Sequence, residues 1–159
     1  MDNTALTDYR GRLLEKILQS AGAFCAACRE SADAHQPVDG GWSLHQIAAH
    51  VRDVDAQVYG LRIRRTAAED YPTFPNFDGD AWAATQYRAD EPLENILGEF
   101  ETSIRELVGW LETLPGKTWG RLGRHTTQGE RTLQTWVERS LAHVEEHLHT
   151  ITHPGSHAD

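Results

Sequence analysis

The chain has 159 residues, enough for one domain around one hydrophobic core, and its 39% hydrophobic and 25% charged residues match an ordinary soluble globular protein. A formal net charge of −9 at pH 7 argues against nonspecific nucleic-acid binding and against docking on an anionic membrane, both of which need a basic face. No apolar run approaches the roughly 18 residues of a membrane span. Met1-Asp2-Asn3-Thr4 is not a basic segment leading into an apolar one, so the expected location is the cytoplasm.

Helical periodicity dominates the chain. Over residues 4 to 33, Leu13, Leu14, Ile17, Leu18, Ala21, Phe24, Cys25 and Cys28 recur at steps of three and four, which predicts a helix ending before Pro37 and Gly40-Gly41. A second helix is expected to start after Ser43, a good N-cap, with Gln46 completing a capping-box pattern. Its stripe is Ile47, Val51, Val54, Val58 and Leu61, and it should end between Arg65 and Asp70. Residues 70 to 90 read as irregular, because Pro72, Pro75 and Gly79 interrupt any helix. That stretch is nonetheless rich in aromatics, through Trp82 and Tyr87, and should pack over something as a lid or a short helix. A third helix begins near Pro92, carries Leu93, Ile96, Leu97, Phe100, Ile104, Leu107, Val108 and Leu111, and stops at Pro115-Gly116. Residues 116 to 131 read as a glycine-rich connector with several basic residues. The last helix is expected over about 132 to 152, with a frayed tail over 153 to 159. Four long amphipathic segments and no convincing alternating strand give an all-α fold, a four-helix bundle, in one domain spanning 1–159.

Three histidines stand out. His143 and His147 are one helical turn apart and share a face. His50 falls on the apolar stripe of the second helix, where an unpartnered polar ring costs a few kcal/mol. A divalent cation is the simplest common explanation, and three imidazoles leave further coordination positions open for chemistry. The competing reading of the pair is two solvated rings in a histidine-rich tail that also holds His149, His153 and His157. His149 points well away from His147 on a helical wheel, and His153 and His157 lie at or past the helix end. The string from His143 to His147 also fits the H-x-x-E-H signature of inverted zinc proteases, but those are large mixed folds, and Glu146 should face off the metal axis. Cys25-Ala-Ala-Cys28 lies deep in a helix rather than at its N-terminus, so packing is the expected role of both thiols. Asp53 is either a carboxylate that orients a ligand ring or a solvated helix charge.

Trp42-Ser43-Leu44-His45-Gln46-Ile47-Ala48-Ala49-His50-Val51, Phe74-Pro75-Asn76-Phe77-Asp78, Trp119-Gly120-Arg121-Leu122-Gly123-Arg124-His125 and His143 with His147 follow one another in the order and spacing of a known family. On these pieces, covering most of residues 42 to 152, the chain resembles the DinB-like (DinB/YfiT) superfamily of metal-binding four-helix proteins. The resemblance implies an up-down-down-up bundle, often a homodimer, with one divalent ion, commonly nickel or zinc, on residues matching His50, His143 and His147. Members often carry adjacent histidines just before the helix end, whereas Glu146 precedes His147 here. Activities in the family include thiol-S-transfer with low-molecular-weight thiols, so a metal-dependent thiol transferase or related hydrolase acting on small electrophiles is the expected function. The alternatives are a noncatalytic metal- or small-ligand-binding protein and a dimeric interaction module. Arg121 and Arg124 are candidates for binding the carboxylates of a thiol cofactor or other substrate, the other reading being a solvated connector. Neither nucleic acid nor membrane is expected as a partner.

Overall fold

In the computed structural model, described here for residues 3–38 and 40–155, the apolar stripes become four long helices. Helix α1 (Thr4–Arg29) buries Leu13, Leu14, Ile17, Ala21, Phe24, Cys25 and Cys28 on one face. Both thiols are fully covered, as packing residues would be. Helix α1 ends at Arg29, a few residues earlier than periodicity suggests. Helix α2 (Leu44–Val54) starts where Ser43 accepts a hydrogen bond from the Gln46 backbone N–H. It runs without interruption through a π-helical turn (Asp55–Gly60) into α3 (Leu61–Ala68), so the three form one long second helix. Helix α5 (Leu93–Glu112) follows Pro92, and α6 (Leu133–Thr152) is capped by Thr132, whose hydroxyl accepts from the Thr135 N–H.

The helix directions follow from which ends touch. Arg29 pairs with Glu94 and Arg10 bonds the Gly116 carbonyl, so α1 and α5 are antiparallel. Tyr9 donates to Glu138 while Ala27 and Ile151 line one groove, so α1 and α6 are parallel. Arg52 pairs with Glu91 and Arg64 lies over Trp110, so the second helix runs parallel to α5. His50 meets His143 and Arg62 meets Trp136, so it runs antiparallel to α6. Each long helix packs mainly on two others, with α1 opposite α2 and α5 opposite α6 across the bundle. The order is up-down-down-up, and the core lies between the four stripes. No helix among the described residues is long and apolar enough to cross a membrane.

Two segments depart from the sequence reading. Residues 70 to 90 contain strand β1 (Thr73–Phe74) and a short helix α4 (Gly79–Thr85), capped by Asp78. The connector from 116 to 131 is not structureless. A 3-10 turn (Gly116–Gly120) leads into strands β2 (Leu122–His125) and β3 (Gly129–Thr132), and β2 lies between β1, its parallel partner, and β3, its antiparallel one. Strands of two and four residues are too short to carry a period-two signal, and the β1–β2 pairing joins segments remote in sequence. Close packing fixes the small sheet on α3: a Cβ on Gly123 would fall 2.9 Å from the Phe74 ring and 3.0 Å from Thr66 Oγ1.

Candidate metal centre

The ring nitrogens of His50, His143 and His147 meet at the α2–α6 interface. His50 Nε2 lies 3.2 Å from His143 Nε2, and His143 Nε2 lies 3.2 Å from His147 Nε2. All three ligand atoms fall within 4.8 Å of one another. Two nitrogens each about 2.0–2.1 Å from one Zn²⁺ at tetrahedral angles are separated by about 3.3 Å, so the spacing matches a shared first-row cation. The local reasons are simple. One helical turn separates His143 from His147, and the antiparallel crossing brings His50 across from them.

Protein atoms alone leave the cluster unsatisfied. His143 Nε2 offers either one lone pair or one proton, so it cannot serve both neighbouring nitrogens well. His50 Nδ1 is buried with no partner among the described residues. Burial, followed by the neighbouring rings' charge, pushes His50 down to about 4 and His143 to about 3. His147 is lowered as well, by burial, with Glu146 opposing. At neutral pH the rings are therefore uncharged and their lone pairs free to ligate. A hard cage of oxygens is absent from the set, so nitrogen-loving divalent ions such as zinc or nickel fit the donors better than magnesium or calcium.

Aromatic rings wall the cluster. Trp42 and Trp82 stand 5.1 and 5.3 Å from the His50 ring, Phe77 stands at 6.0 Å, and Tyr59 stands 5.5 Å from His143. The aromatic loop thus does cover something, through Phe77 and Trp82. Tyr71, at its start, turns instead to Glu130 on β3. Tyr59 lay outside the sequence reading because it sits off the apolar stripe, within the π turn. Asp53 accepts hydrogen bonds from the Trp82 indole (2.9 Å) and from Arg52 Nε (2.8 Å), and Arg52 also pairs with Glu91 and Glu99. It bonds no histidine, yet its negative charge opposes the depression of the His50 pKa. Its direct role is to brace the Trp82 wall.

The other candidates lie apart. Arg121 donates to the carbonyls of Thr66 (3.0 Å) and Glu69 (2.8 Å), stapling the end of α3 to β2. Arg124 is exposed on β2, where its backbone N–H bonds the Pro72 carbonyl. Glu146 and His149 are exposed, and His149 stacks on His153 at 4.4 Å. His157 lies outside the described residues.

Over 110 residues the chain is 26% identical to an Oceanobacillus iheyensis protein named "Putative metal-dependent hydrolase", covering 69% of this chain and 62% of that relative's length. The fold matches YfiT from Bacillus subtilis, described as a probable metal-dependent hydrolase with an unusual four-helix bundle topology, with a TM-score of 0.81, 20% identity, and coverage of 89% of this chain and 83% of that one. At that identity the likeness establishes a shared fold. The family model of the DinB superfamily matches residues 14–151, which include all three clustered histidines, and the chain belongs to that superfamily.

Proposed function

We propose that the protein is a metal-dependent enzyme that turns water or a small thiol against small electrophiles, with His50, His143 and His147 holding one divalent cation, nickel or zinc. The observation that carries this reading is the convergence of three uncharged imidazoles from two helices on one point inside an aromatic wall. A cation bound there supplies Lewis acidity and a lowered pKa for a coordinated water or thiol. The protein's own contribution is positioning and exclusion. Trp42, Phe77 and Trp82 keep bulk water from the His50 side, and Asp53 fixes Trp82. No protein carboxylate contacts the cluster among the described residues, so no side-chain general base is assigned. The hydrolase half of the proposal is supported by the names of similar proteins. Thiol transfer, a small-molecule ligand and a homodimer belong to the same proposal.

The test begins with metal content. Protein purified without an affinity tag should hold about one nickel or zinc per chain, and H143A and H147A should hold almost none. Activated esters and amides then test hydrolysis, and a chlorinated aromatic or an epoxide with several thiols tests transfer. Turnover abolished by chelation and restored by metal is the expected result. Metal-free protein, or turnover indifferent to chelator, overturns the reading. Bound metal that stabilises the fold without any turnover favours a noncatalytic role instead, since His50 and the pair on α6 bridge two helices.

A further inference from the structure

Beside the histidines, across Tyr59, lies a group of hydrogen-bond donors with no carboxylate partner among the described residues. Arg62 is only 6% exposed, and a guanidinium that deeply covered nearly always has a carboxylate partner. Arg62 has none. Its Nη2 donates to the Pro75 carbonyl at 3.0 Å, and its plane lies over Trp136 at 4.8 Å and near Tyr59 at 5.9 Å. Nε and Nη1 bond to nothing among the described residues, yet neither is sealed from solvent.

The neighbours repeat the pattern. Trp136 is fully covered, and its Nε1–H is buried without an acceptor among the described residues. His125, with its ring 6.2 Å from Trp136, accepts the Thr127 and Gln128 backbone N–H groups at Nδ1 (3.2 and 3.0 Å). The neutral ring therefore carries its proton on Nε2, as a further donor with no partner among the described residues. Arg139 forms no ion pair among the described residues, and its charge acts on Arg62, His125 and Tyr59 alike. Glu146 acts on Tyr59 and His147. In a chain of net charge −9, two arginines and two neutral donors thus share one region with no carboxylate bonded to any of them among the described residues.

Position ties this group to the metal centre. Arg139 precedes His143 by four residues of α6, about 6 Å along the axis at about 1.5 Å per residue. Tyr59 bridges them, with its ring 5.5 Å from His143 and 5.9 Å from the Arg62 guanidinium. Pro75, which Arg62 holds, and Phe77, which covers His50, belong to one short loop.

We propose that Arg62, Arg139, Trp136 Nε1–H and His125 Nε2–H form a subsite for a carboxylate, so that the protein's substrate is a small organic acid whose reacting end lies at the histidines. This rests on the proposed metal-dependent function for the reacting end, but not for the anion contact itself. A planar carboxylate suits a guanidinium bidentately and has lone pairs left for two neutral donors.

The test is titration calorimetry on the full chain, in metal-free and metal-loaded form, with benzoate as probe and benzamide as its uncharged counterpart. Benzoate should bind more tightly than benzamide. Arg139→Gln and Arg62→Met should each weaken benzoate about tenfold, the loss expected for one charge-assisted contact, and leave benzamide and metal content unchanged. Arg139 is only partly buried, so R139Q keeps the test open if R62M does not fold. Equal binding of the two probes, or benzoate affinity unchanged in a folded arginine variant, overturns the proposal. Inorganic phosphate binding more tightly than benzoate overturns the carboxylate assignment as well. Failure of the metal reading shows separately, as absent metal in the purified wild type, while arginine-dependent benzoate binding then still upholds the anion subsite.

Discussion

Individual residues set how the molecule answers pH. The folded pKa values of His50 and His143 lie below the ordinary 6.5, so the uncharged rings favour the fold fully above that value. In the metal-free protein this contribution is lost as pH falls through about 4 and about 3. Asp55 works in the opposite sense. It is 2% exposed, its Oδ1 has no partner among the described residues, and burial raises its pKa to about 7. Its stability contribution is fully present below the unfolded value of 3.8 and is lost as pH rises through about 7. Asp55→Asn should therefore melt several degrees above wild type at about pH 8, with the gap closing toward about pH 4. Melting curves across that range check it; a gap independent of pH would show that the carboxyl is not the cause.

At the scale of elements, the second helix is the one whose register matters. It must present His50 to α6 near its start and Arg62 to the same helix near its end. The π turn between them inserts the offset, and it depends on Gly60, where a Cβ would fall 2.7 Å from the Asp55 carbonyl oxygen. Gly60→Ala forces that turn open. It should destabilise the fold by about 1–3 kcal/mol and weaken metal affinity although it touches no ligand. Denaturant unfolding and a metal titration measure the two effects. A variant as stable as wild type, with unchanged affinity, would mean that the π turn is incidental.

For the whole molecule, a cation held by the proposed histidine set would be a cross-link. His50 comes from α2 and its two partners from α6, so a bound cation ties a descending helix to an ascending one. Binding to the folded state alone stabilises by mass action, about 4 kcal/mol when free metal is a thousandfold above Kd. Chelation should therefore lower the melting temperature by roughly 10 °C in a chain of this size, at about 2–4 °C per kcal/mol. In H143A, chelator should change nothing. Differential scanning fluorimetry with and without chelator decides, and equal shifts in both proteins would place the stabilising metal elsewhere.

The sequence by itself determined the four stripes, the Ser43 cap, the buried fate of Cys25 and Cys28, and the shared face of His143 and His147. Each of these is written in local spacing, and local spacing dictates which face of a helix is apolar. Tertiary structure alone decided the rest. The β1–β2 pairing joins segments some fifty residues apart through strands too short to show alternation. Asp53 turned to Trp82 and Arg52 rather than to a histidine, and Arg121 to the end of α3, because the loop and strand that receive them are placed by packing. Arg62, Trp136 and Arg139 gave no signal as a group, since an unpaired charge becomes informative only once its surroundings are known to hold no acid.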